Sequence, residues 1–250
     1  MLNLKGLVIA QSDIGEAGRL ITLLTAEMGC VSVYVRAGQK SRTARPSTQL
    51  FSYAEFSLSS KVNSKNETNY YFNSAEPITL FYNIRLDAKR TALACYFAEI
   101  LKYVALGDEN ADEVMRLTLN TLYFLNEGNR SIELLKSIFE LRLMCETGFR
   151  PNLIGCAHCY KALDERMHFN LKSGLLECNN CVEHSDNPYD VVLDETMLYI
   201  VRFIALVEYD RLFNFRISDK YQRQLTDLCE CYCEYCCSKK FDTLKFYRLI

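Results

Sequence analysis

Short apolar stretches with period-two character recur along the first 79 residues, at roughly 4–12, 19–26, 30–37, 51–59 and 69–76. Turn-forming Gly, Ser, Asn and Asp separate them. The spacing predicts five short strands, and an OB-fold is the commonest five-stranded small barrel. In the third stretch Val31, Val33 and Val35 alternate with Ser32, Tyr34 and Arg36. Successive side chains point to opposite faces of a strand. The valines are therefore expected in the core, with Tyr34 and Arg36 facing outward together.

After Pro77 the period changes to that of a helix. Leu93, Phe97, Ile100, Leu101 and Val104 make one stripe; Val114, Leu117, Thr121 and Leu125 make a second; Ile132, Leu135, Phe139 and Met144 make a third. Gly107, Gly128 and Gly148 follow these stripes, where helix-ending glycines belong. From 150 to 188 the periodicity gives way to Cys, Asn, Gly and His, and helical patterns resume near 194–208 and 218–240. The expected organisation is an α+β multidomain chain. A five-stranded OB-fold-like barrel spans 1–79, and a helical domain spans 80–250 with an insert at about 150–188.

The insert carries a specific signal. Cys156-x2-Cys159 is followed, after 18 intervening residues, by Cys178-x2-Cys181. Each Cys-x2-Cys turn aims two thiolates at one ion, two such turns complete a tetrahedron, and the spacing is that of a zinc ribbon. Met167–Asn170 and the Gly174-Leu-Leu-Glu stretch fit the two strands of a hairpin that joins the pairs. The competing readings are four buried free thiols, or His158 or His184 as a substitute ligand. Catalytic zinc keeps three protein ligands and an open position, whereas four thiolates close the shell. One structural Zn2+ per chain is therefore expected, stapling an insert too small to build its own core. The run Cys229-Glu-Cys-Tyr-Cys-Glu-Tyr-Cys-Cys237 raises a second metal or redox site, against the plainer reading of cysteines packed as small apolar residues.

Charge adds a second feature. The chain has 29 Lys/Arg and 31 Asp/Glu, a net charge of −2, which argues against a protein that coats nucleic acid with its whole surface. The excess of positive charge is local: residues 1–79 hold eight Lys/Arg against six Asp/Glu, and the remainder holds 21 against 25. Within it, the stretch 35–46 (VRAGQKSRTARP) carries Arg36, Lys40, Arg42 and Arg45 with no acidic residue. Taken alone this is a solvated loop. Beside an outward Tyr34, and with Phe51, Tyr53, Phe56, Tyr70, Tyr71 and Phe72 nearby, it also has the makings of a single-stranded nucleic-acid groove, where cations meet phosphates and rings stack on bases.

Other chemistry is missing. There is no Gly-x4-Gly-Lys-Ser/Thr phosphate loop, no Gly-x-Gly-x-x-Gly and no His-Glu-x-x-His. Three histidines leave little for acid–base catalysis, so no catalytic residue is expected. No stretch has a signal-peptide core or the length of a bilayer span. A cytoplasmic protein is expected, and its 12 cysteines are then thiols or metal ligands.

Several stretches carry a family resemblance. They are Ile14–Gly29, Gly38-Gln-Lys-Ser-Arg42, Gln49–Ser52, Asn83–Asp87, and Phe139–Leu143 leading through Gly148–Pro151 to the cysteine pairs. In order and spacing, over nearly the whole chain, the sequence resembles the RecO family of bacterial recombination-repair mediators. The resemblance implies a non-enzymatic DNA-repair protein that binds single- and double-stranded DNA and anneals complementary strands. It implies action with RecR in loading RecA onto DNA coated by SSB, and a helical-domain contact with the SSB C-terminal tail. It also implies nucleoid association during repair, and neither a membrane nor a small-molecule substrate as partner. The family's basic DNA face carries over to Arg36, Lys40, Arg42 and Arg45, with Arg19 beside them, and its zinc ligands to Cys156, Cys159, Cys178 and Cys181; Tyr34 joins the candidate DNA-binding residues through the strand alternation alone. The alternatives are a scaffold whose basic loop meets an acidic protein tail, and an RNA-binding OB/zinc protein.

Overall fold

The computed structural model describes residues 1–36, 44–104, 111–182 and 189–250. They form two compact units, Met1–Glu127 with Phe241–Ile250, and Gly128–Lys240.

In the first unit, β1 (Leu2–Ile14), β2 (Gly18–Thr25), β3 (Gly29–Arg36), β4 (Tyr53–Val62) and β5 (Thr68–Thr79) close into a barrel in the order β1-β2-β3-β5-β4. β1 pairs with β4 from Leu2↔Leu58 to Leu7↔Tyr53, completing the ring. The junction of β3 with β5 is parallel, at Val33↔Tyr70 and Tyr34↔Tyr71. Alternation built the core as expected. Val31 and Val33 are buried against Ile21, Leu23, Phe56, Leu58 and Phe72, and Val35 packs half-buried on the same cluster. Tyr34 and Arg36 are exposed. Each large side chain fully withdrawn here contributes about 1.5–3 kcal/mol.

The short helix α1 (Ala44–Ser47) precedes β4, and a 3-10 turn at Tyr82–Leu86 leads from the barrel into α2 (Ala88–Val104) and α3 (Ala111–Glu127). The first predicted stripe is buried from Leu93 to Leu101, with Val104 half-buried; the second is buried throughout. Gly128, with φ of 68°, follows α3 in the left-handed region that glycine reaches without strain. Gly107 lies outside the described residues.

In the second unit, α4 (Ile132–Glu146) is buried at every residue from Leu134 onward, charged ones included. Its burial departs from the single stripe that the sequence predicts. Lys136 Nζ lies 2.8 Å from Glu140 Oε1 and 2.9 Å from Glu230 Oε2, with the Lys136 and Glu140 side chains 1% and 0% exposed. Arg142 pairs with Glu146, sits 4.7 Å from the Tyr209 ring centre and donates through Nη1 to the carbonyls of Ile204, Ala205 and Val207. Those carbonyls end the helix α5 (Glu195–Leu206), so Arg142 caps it from the side with a matching charge. Burial works against the Arg142 cation, but Glu146 and Tyr209 outweigh it and hold the guanidinium charged.

Breaking a buried pair strands its partner. Lys136→Met is therefore expected to lower the unfolding free energy by about 3–5 kcal/mol. The triple change Lys136→Met/Glu140→Leu/Glu230→Gln, which leaves neither carboxylate stranded, should recover most of that loss in urea titrations; an equal loss in both would show that these ion pairs are not what holds α4.

The unit is completed by β6 (Asn152–Cys156), β7 (Met167–Asn170), β8 (Leu175–Cys178), β9 (Asp190–Leu193), α6 (Tyr209–Leu212) and α7 (Asp219–Cys237). The four strands form one sheet in the order β6-β8-β7-β9. Along α7, Cys229, Cys233 and Cys237 are buried, the packing role of the plainer reading. Burial pushes the Cys229 thiol well up and keeps it protonated. In the first unit, α8 (Asp242–Tyr247) packs on α2. Tyr96 meets Phe241 edge-on at 5.7 Å, and Glu99 Oε2 accepts from Thr243 N–H and hydroxyl at 3.1 and 2.6 Å.

Candidate metal centre and nucleic-acid face

Two turns bring the four insert cysteines together. Cys156 ends β6 and Cys178 ends β8, and these strands lie parallel with Cys156 opposite Leu176. The chain then folds back over each first cysteine. Tyr160 N–H donates to the Cys156 carbonyl at 3.0 Å, and Cys181 N–H donates to the Cys178 carbonyl at 2.9 Å. Gly155 makes the first turn possible, since a Cβ there would stand 3.0 Å from the carbonyl oxygens of Tyr160 and Lys161. The expected hairpin is β7–β8, paired from Met167↔Cys178 to Asn170↔Leu175.

The four sulfur ligand atoms lie within 4.8 Å of one another, and Cys159 Sγ is 3.6 Å from Cys178 Sγ. A tetrahedral ion with sulfurs at about 2.3 Å separates them by roughly 3.8 Å, so the set fits one ion. Among the described residues no other group of His, Cys, Asp and Glu is placed to share one. Burial opposes ionisation of Cys156, but N–H groups of Cys159, Cys178 and His158 bring its pKa down to about 6. Hydrogen bonds to the Cys178 and Cys159 thiols push Cys181 up to about 12. His158 turns away, its Nε2 2.8 Å from Glu177 Oε1; His184 lies outside the described residues.

The barrel offers the second constellation. Tyr34 on β3 stacks on Tyr71 of β5, ring centres 5.5 Å apart and 27° between planes. Arg36 and Lys61 lie over the Tyr71 ring at 6.0 and 5.9 Å. Two rings and two cations from three strands therefore share one patch. Arg45 is exposed on α1. Lys40 and Arg42 lie outside the described residues. Arg19 is held by Asp13, Nε to Oδ1 3.1 Å, which offsets its charge locally. Sequence reading missed Lys61 and singled out Tyr71 only as one ring in an aromatic run. Tyr34 and Arg36 reach it through the parallel β3–β5 register and Lys61 through the antiparallel β4–β5 register, which no local pattern encodes.

Comparison with known proteins gives the family. The model for the recombination protein O N terminal matches residues 1–81, and the model for the recombination protein O C terminal matches residues 85–245. The chain belongs to the RecO family. The DNA repair protein RecO of Acetivibrio thermocellus is 28% identical over 251 residues, covering 100% of this chain and 97% of that protein. The RecO of Caldicellulosiruptor saccharolyticus is 26% identical over 247 residues, covering 98% and 97%. The RecO of Bacillus subtilis is 26% identical over 243 residues, covering 95% and 92%. RecO membership places the chain in DNA repair and recombination. Among the described residues, no helix is long and apolar enough to cross a membrane.

Two of the RecO-like stretches meet in the first unit. Arg85 donates to Gln49 Oε1 at 2.9 Å, to the Leu50 carbonyl at 2.7 Å and to Ser52 Oγ at 3.1 Å. Their polar groups build a structural joint. In the second unit Glu140 and Arg142 of a third stretch are equally spent on packing α4.

Proposed function

We propose that the barrel of residues 1–79 is a DNA-binding domain that holds single- and double-stranded DNA on the face bearing the Tyr34–Tyr71 stack. The observation that carries this reading is that stack, with Arg36 and Lys61 above it. Rings beside cations suit bases beside phosphates, and Lys40, Arg42 and Arg45 extend the positive charge along the chain. These contacts neutralise backbone charge without reading sequence. Annealing then needs no catalytic residue. It needs two strands concentrated with their repulsion screened and their bases free to pair. On this reading the protein works in the cytoplasm, at the nucleoid, as a non-enzymatic mediator. It acts with RecR and the SSB C-terminal tail to load RecA, and uses neither a membrane nor a small-molecule substrate.

Cys156, Cys159, Cys178 and Cys181 would hold one structural Zn2+, whose chemistry is to cross-link β6 and β8. Four thiolates leave no position for a reacting water.

Fluorescence anisotropy on a labelled single strand over a salt series tests the reading. Four or five phosphate contacts give a slope of log K against log salt of roughly −3, and salt-independent binding would sink it. Tyr34→Ala should cost about 1–3 kcal/mol of single-strand affinity with the slope unchanged. A shift in slope instead would make the ring a spacer for the cations.

A further inference from the structure

We infer that a groove in the Gly128–Lys240 unit holds a second single strand, so that one chain can present two strands for pairing; this rests on the DNA-binding reading above. The groove encloses about 950 Å3 between the loop after α4, the β7–β8 turn and the end of α7. Lys172, Lys239 and Lys240 line it, with Arg150 paired to Glu146 Oε2 at 3.4 Å, and Glu234 is the one acidic residue of the lining. That concentration of cations stands out in a unit whose sequence holds 14 Lys/Arg and 17 Asp/Glu. Rings stand among the charges. Phe149 and Tyr189 are 44% and 43% exposed, and Tyr189 meets Tyr235 edge-on at 5.6 Å.

The walls are held together by hydrogen bonds of the chain itself. Tyr232 hydroxyl donates to the Phe149 carbonyl at 2.9 Å, tying α7 to the loop. Asn152 N–H donates to the Gly174 carbonyl at 2.8 Å, tying the loop to the turn. Asn170 Oδ1 accepts from the N–H groups of Lys172 and Ser173 at 2.9 and 3.0 Å, shaping the turn that carries Lys172. Gly174 has φ of +66°, and a Cβ there would stand 3.2 Å from the Tyr232 hydroxyl. Preformed walls reduce the ordering cost of binding. Cations alone would suit an acidic peptide. Half-exposed rings between the cations suit splayed bases, which a duplex keeps stacked and an acidic peptide lacks.

The test uses the full chain, labelled oligothymidine and a complementary oligonucleotide pair. Wild type is expected to bind two oligothymidines per chain. Lys172→Ala/Lys239→Ala/Lys240→Ala should keep the first, lose the second and anneal the pair about tenfold more slowly. Tyr189→Ala should weaken the second strand roughly fivefold or more without removing charge. One strand per chain in wild type, or an unchanged stoichiometry and annealing rate in the triple variant, overturns the groove while leaving the barrel reading intact. Binding of a polyglutamate peptide, lost in the triple variant while oligothymidine stoichiometry is unaffected, overturns the strand in favour of a protein ligand. Wild type that binds no strand at all defeats the DNA-binding reading itself, and the groove with it.

Discussion

Cys178→Ser is expected to strip the bound metal and lower the melting temperature of the Gly128–Lys240 unit by roughly 10–20 °C. The substitution itself is nearly isosteric and Cys178 is buried, so the loss comes from the ion. A metal present at a thousandfold excess over its Kd stabilises the state that binds it by about 4 kcal/mol. Without it, the ends of β6 and β8 are left to cross-strand hydrogen bonds such as Ala157 N–H to the Leu176 carbonyl, 2.7 Å. Acid should act in the same direction, because each thiol must give up a proton to bind the metal as thiolate. Atomic emission for zinc, paired with thermal unfolding, checks both. Cys231→Ser, at an exposed cysteine outside the cluster, should keep one ion per chain. Full occupancy in Cys178→Ser would mean the ligand set is wrong.

The second large effect belongs to the basic segment. Replacing Arg36, Lys40, Arg42 and Arg45 together with Ala should weaken single-strand binding by about 10²–10³ at 0.1 M salt and move the salt slope from roughly −3 towards zero. The effect is large because four released counterions compound, whereas one surface ion pair is worth little. The fold should survive. The side chains of Arg36 and Arg45 are exposed, and the barrel core lies on the opposite face of β3. Residual binding should be carried by Lys61 and the tyrosine stack. Undiminished binding by a folded variant would move the DNA face off this segment.

What was legible in the sequence follows from how local its cause is. The barrel strands alternate one residue in and one out, so the places of Val31 and Val33 in their run already decide which face they take. The cysteine quartet was equally plain, because a Cys-x2-Cys turn is made within a few residues. Features set by distant partners were hidden. Helix α4 carries Lys136, Glu140, Arg142 and Glu146, which by residue type belong on a solvated face and instead lie buried beside Glu230 and Tyr209. β9 escaped notice because four residues pairing with β7 leave little pattern of their own. The Tyr71–Lys61 half of the proposed DNA face depends on strand register across the barrel. Phe241–Ile250 returns to the first unit through contacts with residues over 140 positions earlier.

That return has a consequence for synthesis. The segment that carries Phe241 and Thr243 is translated only after all of Gly128–Lys240, an interval of roughly 6–20 s at usual elongation rates. Throughout it, Tyr96 lacks its Phe241 partner and Glu99 lacks Thr243. The nascent chain must therefore wait with one apolar face of α2 unsealed while the Gly128–Lys240 unit emerges and folds. During that window the ribosome-bound intermediate would be open to chaperone capture or misassociation.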